Sequence, residues 1–147
     1  VDAPQGSNFA GIGRFYGHVL GAPATSVTDT FCTIAVGTRQ TLTFRESPDG
    51  ADVRHEDLVE DEENGTMMNY GAHVSIYVRN LKEAYRRAEG LGVTYVNTRF
   101  KRRAWNLDEA VEDCMFRILD IVDPADEKRE VILRLEHEVR SVVKVDG

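Results

Sequence analysis

Cysteine, proline and tryptophan are scarce in this 147-residue chain, at two, four and one. Cys32 and Cys114 lie far apart and form no CxxC pair, which argues against a disulfide scaffold or a cysteine zinc site. Two reduced core thiols are the simpler reading. No apolar run approaches the roughly 20 residues that span a bilayer, and the first residues show no secretory apolar stretch. Together these absences point to a cytoplasmic protein without a membrane partner. GxGxxG, Walker and GxSxG motifs are missing too, so phosphate cradles and nucleophile elbows have no support. A basic footprint is also lacking: the net charge is −7, which argues against a general nucleic-acid binder.

What is present is 41% apolar and 29% charged, enough to build a core and to exclude wholesale disorder. The charge is uneven. Residues 1–70 hold 4 Lys and Arg against 11 Asp and Glu, whereas residues 71–147 balance at 14 each. The acidic excess gathers in HEDLVEDEEN (55–64), polar and aperiodic, which reads as part of a solvated connector over 48–70. RFKRR (99–103) is the one basic cluster. It is either a rim that attracts an anionic ligand or a solvated loop face that partners the connector.

Periodicity supplies the elements. In HVSIYV (73–78), Val74, Ile76 and Val78 share one face and His73, Ser75 and Tyr77 the other, the alternation of a strand with one side on a core. Asn80 caps a helix with Glu83 at the capping-box spacing, and Leu81, Ala84, Tyr85, Ala88 and Leu91 form its apolar stripe. VTYVNTRF (93–100) reads as a strand, NLDEAVEDC (106–114) as a short helix, MFRILDIV (115–122) and REVILRLEHE (129–138) as strands around a DPADEK turn. The first 47 residues partly repeat this order. Ile12, Phe15, Tyr16 and Val19 give a helix stopped at Gly21, and residues 31–37 and 39–47 give two strands, but no strand pattern precedes the helix. Val1–Ser47 therefore reads as a first module apparently lacking its opening strand, and 71–147 as a second, complete one, in one compact domain. The edge left by such a gap favours pairing with a second copy, a homodimer.

FYGHVLGA (15–22), GAHVSIYVRNLKEAYRRAEGLGVTYV (71–96) and the DP turn before an apolar strand resemble the vicinal oxygen chelate superfamily, which includes glyoxalase I, extradiol dioxygenases and bleomycin-resistance proteins. The resemblance implies an α+β fold of two βαβββ modules whose curved mixed sheets form a cup, with helices packed outside. It also implies ligands of His, Gln or Glu type around a divalent metal such as Fe, Mn, Ni or Zn, which chelates two neighbouring substrate oxygens.

Under that resemblance His73 is either a metal ligand, a pocket group, or a satisfied histidine at a strand start. Strand parity places Arg134 and Glu136 on its side; Glu136 is either a second ligand with a catalytic role or the ion-pair partner of a nearby arginine. Tyr77 and Arg134 would orient a substrate, Arg45 would add a second positive group, and Trp105 either walls the pocket or anchors its loop. The first module offers Thr43 and Arg45 where ligands are expected, so a four-ligand site is not visible. Two functions follow. One is a glyoxalase- or dioxygenase-like lyase, isomerase or dioxygenase acting on a small, oxygen-rich, anionic molecule. The other is a metal-free binding or sequestering protein of the bleomycin-resistance type.

Overall fold

The computed structural model describes residues 1–50 and 52–144; position 51 of the connector and positions 145–147 of the second module lie outside the described residues. Two compact units divide the chain, Val1–Arg54 with Asp120–Leu133, and His55–Leu119 with Arg134–Gly147.

The first unit runs β1 (Asp2–Ala3), α1 (Phe9–Leu20), β2 (Ala24–Val27), β3 (Phe31–Gly37) and β4 (Gln40–Glu46), in a sheet of order β1-β4-β3-β2. The opening strand that the sequence pattern leaves out is therefore present, parallel to β4. Two residues are too few for alternation to show, and backbone groups make the pairing: Arg45 N–H donates to Val1 O at 3.0 Å and Ser47 N–H to Ala3 O at 2.9 Å. Helix α1 buries the expected stripe of Ile12, Phe15, Tyr16 and Val19, and Phe9 as well, behind an Asn8 cap that accepts from Gly11 N–H at 2.9 Å. Asp123 fastens the helix by accepting from Arg14 Nη2 at 2.6 Å and Asn8 Nδ2 at 2.9 Å. The Arg14 guanidinium holds that carboxyl well below the usual carboxylate range.

The second unit opens with a hairpin, β5 (Leu58–Asp61) and β6 (Thr66–Asn69), inside the segment that the sequence suggests is a solvated connector. Its turn is locked locally: Asp61 accepts from Asn64 N–H and Asn64 Nδ2, and Gly65 takes φ +67°. At Gly71 a β-carbon would sit 2.2 Å from His55 O, so only glycine lets the chain close there. Next come β7 (His73–Val78), α2 (Leu81–Gly90), β8 (Thr94–Tyr95), α3 (Leu107–Asp113), β9 (Met115–Val122) and β10 (Val131–Ser141), in a sheet of order β7-β10-β9-β8. Both modules are thus βαβββ with the first strand beside the last, and the fold is α+β. Strand β8 stops well short of the expected 93–100, because Asn97 and Thr98 turn buried, hydrogen-bonded side chains out of the ladder. Met67 and Tyr70 stand exposed beside it.

His137 of β10 is fully buried. Burial lowers its pKa to about 4, against weaker opposing hydrogen bonds to the backbone of Leu135 and Ile118. A base depressed in the fold makes the unfolded chain the better proton binder, so stability falls as pH drops from about 6.5 towards about 4. The expected loss from this residue is about 3 kcal/mol. Denaturant titrations across that range should show His137→Gln losing less stability on acidification than the wild type.

Candidate functional site

Strand β7 keeps the predicted parity: Ile76 and Val78 are buried, while His73, Ser75 and Tyr77 are exposed on the opposite side. Parallel pairing sets Glu136 beside His73, Glu138 beside Ser75 and Arg140 beside Tyr77, and antiparallel pairing sets Tyr95 beside Arg117. Since Arg117 Nη1 donates to Glu136 Oε2 at 2.5 Å, a polar rung crosses all four strands as Tyr95, Arg117, Glu136, His73.

Glu136, only 1% exposed, is the centre of that rung. Its Oε1 accepts from Asn69 Nδ2 at 3.0 Å and Asn97 Nδ2 at 2.7 Å. Neither carboxamide is free to flip. Asn69 Oδ1 accepts from the N–H groups of Asp57 and Gly71, both at 2.9 Å, and Asn97 Oδ1 accepts from Arg99 N–H at 3.2 Å and Asn69 N–H at 3.3 Å. Each amide is therefore forced to offer its nitrogen to the carboxylate. Burial first, and the Glu136 charge second, push Tyr95 up to about 12, so it stays a hydroxyl that donates to Met67 O.

Around this centre sit further charges. Glu138 Oε2 is 3.8 Å from Arg117 Nη2 and 3.9 Å from His73 Nε2, and its Oε1 pairs with Arg140. The Arg117 guanidinium lies 4.3 Å from the Phe100 ring centre, and the Arg99 guanidinium 5.1 Å from it and 4.5 Å from that of Tyr70. Arg117 Nε is buried without a hydrogen-bond partner. Arg99 has no carboxylate at ion-pair distance among the described residues.

The expected site residues are thus distributed as follows. His73 and Glu136 are register neighbours, Tyr77 lies further along the His73 face, and Arg134 is exposed two residues before Glu136. Arg45 belongs to the first unit and pairs with Asp2 at 2.9 Å. Trp105 stands exposed in the loop before α3, its N–H donated to Glu109. Sequence reasoning misses Arg117, Asn69, Asn97 and Glu138. The available signal was Arg117 interrupting the apolar run MFRILDIV, since a charge inside a buried strand needs a counter-charge.

A divalent cation does not fit these residues. Both Glu136 oxygens are held by cationic or amide N–H donors, and among the described residues no three His, Cys, Asp or Glu side chains converge on a common point.

No protein-family model matches the sequence, and no curated protein matches it. Among solved structures, the chain is similar to the lactoylglutathione lyase of Agrobacterium tumefaciens, with 18% identity over 97% of this chain and 89% of that one, at a TM-score of 0.48. It is also similar to a chain described as a conserved domain protein, with 18% identity over 95% of each chain, at a TM-score of 0.42. At this identity and these scores the two likenesses say nothing of ligand or chemistry. Among the described residues no helix is long and apolar enough to cross a membrane.

If Glu136 and Arg117 are a mutually dependent buried pair, Arg117→Met alone should cost about 3–5 kcal/mol, because it strands a charge. Arg117→Met with Glu136→Leu should recover much of that loss. Chemical denaturation of the two variants and the wild type reads the difference directly.

Proposed function

We propose that the β7–β10 face of the second unit binds a small, oxygen-rich anion without a metal. The observation that carries this reading is the cationic group around Phe100: Arg99 has no carboxylate partner, Arg117 keeps an unused buried Nε–H, and the His73 ring lies 6.3 Å from the Phe100 ring. Guanidinium donors match carboxylate and enolate oxygens, and an unsatisfied buried donor gains most from meeting one. Tyr77 and Arg134 are the further substrate-orienting residues of this reading, Trp105 a flanking aromatic, and the site is built without Arg45. Binding or sequestering, of the bleomycin-resistance type, then needs no ligand set beyond these side chains.

A glyoxalase-type lyase or isomerase is the second reading, favoured by the exposed His73 imidazole 3.9 Å from Glu138. A carboxylate beside an imidazole suits proton transfer to and from a bound anion. Metal-dependent chemistry, the dioxygenase version included, would require Glu136 to give up three hydrogen bonds for a cation.

A thermal-shift panel of small dicarboxylates and 2-oxo acids, run with and without chelator, tests the proposal. Stabilisation that survives chelator and weakens about tenfold in affinity, near 1.4 kcal/mol, in Arg99→Ala or His73→Ala supports it. Stabilisation that appears only with an added divalent cation refutes it. For the second reading, proton exchange at the carbon next to a ligand carbonyl, followed by NMR in deuterated water, should occur with the wild type and stop in His73→Ala.

A further inference from the structure

On the helix-bearing side of the second unit, residues from α2 and α3 line an open cleft of about 560 Å³. That volume falls in the range of small-molecule sites. One wall carries Lys82 and Arg86, one turn apart on α2, and Lys144 adds a third cation. Asp108 and Glu112, one turn apart on α3, supply two carboxylates. Leu107, Val111 and Cys114 provide the apolar surface between them. None of the three cations has a carboxylate within ion-pair distance among the described residues. Opposite charges that share a cleft without pairing leave both sets available to one ligand.

Cys114 adds a second observation. It ends α3 at φ +56°, where its N–H donates to Ala110 O and Val111 O. Glycine usually takes this left-handed position, and any other side chain costs roughly 1–2 kcal/mol. The half-buried thiol donates weakly to Val111 O at 3.6 Å and lines the cleft.

We infer that this cleft is a second ligand site that takes a zwitterion of about dipeptide size with apolar side chains. Its carboxylate meets Lys82, Arg86 and Lys144, its ammonium meets Asp108 and Glu112, and its body covers Leu107, Val111 and Cys114. Such a ligand uses every unpaired charge in the cleft, whereas a simple anion leaves the two α3 carboxylates facing it.

Cys114 also supplies the readout, because Cys32 is fully buried and alkylation by neutral iodoacetamide reports Cys114 alone. The probes are the dipeptide Leu-Leu, its N-acetyl form and its C-terminal amide, with modification followed by peptide mass spectrometry. Leu-Leu should slow alkylation, and each capped form should need about tenfold more for the same protection. Lys82→Gln with Arg86→Gln should abolish protection by Leu-Leu, read as the ratio of that variant's own alkylation rates with and without the dipeptide. Equal protection by all three probes, stronger protection by the N-acetyl form, no protection by any at about 10 mM, or undiminished protection in the double variant would overturn the assignment.

Discussion

The carboxylate of Glu136, sealed inside the second unit, is the constraint on which much of that unit depends. Removing such a charge from water is costly unless its oxygens are surrounded by donors. Arg117 supplies the counter-charge and Asn69 and Asn97 supply the amides. The amides are in turn aimed by backbone N–H groups of residues 57, 69, 71 and 99. One buried charge therefore fixes the end of the β5–β6 hairpin and the loop after β8. The close approach at Gly71, and the Thr98 hydroxyl donated to Asp61, belong to the same closure.

This arrangement explains what the sequence reveals and what it hides. Segments whose fate depends on local periodicity are legible: α1, α2 with its Asn80 cap, β7, β9 and the face to which each residue of β7 belongs all follow from spacing. Segments shaped by distant polar partners are not. HEDLVEDEEN looks like a solvated spacer because its charges are visible, whereas its hairpin is made by backbone pairing. VTYVNTRF looks like a full strand because β-branched and aromatic residues dominate it, and the Asn that ends the strand does so through distant partners, Asn69 and Glu136, the latter 39 residues on. The side of Glu136 was readable from parity, its partner was not, since pairing with Arg117 depends on which strands are neighbours.

The two modules share their strand order and the parallel first-to-last pairing, yet use them for different electrostatics. In the first, Arg45 of the last strand pairs with Asp2 of the first, and both side chains are well exposed. Pairs of that kind contribute at most about 1 kcal/mol. In the second, the last-strand charge turns to the third strand and is buried, which leaves the first-strand His73 with an exposed imidazole. The asymmetry leaves the His73 imidazole exposed, with the Glu138 carboxylate 3.9 Å away as its charged neighbour.

A carboxylate used in this way also bears on the kind of chemistry the sheet face supports. Metal ligation needs a lone pair directed at open space and a neighbouring group able to share the cation. Glu136 offers its lone pairs to N–H donors, and its nearest charged neighbour is a guanidinium, which repels a cation. What the face retains instead is donor capacity: Arg117 Nε, Arg99 stacked on Tyr70, and His73. In the proposed binding reading, these donors would select an anion by geometry as well as by charge. The buried acid thus acts on this face indirectly, by holding Arg117, itself buried, against the Phe100 ring.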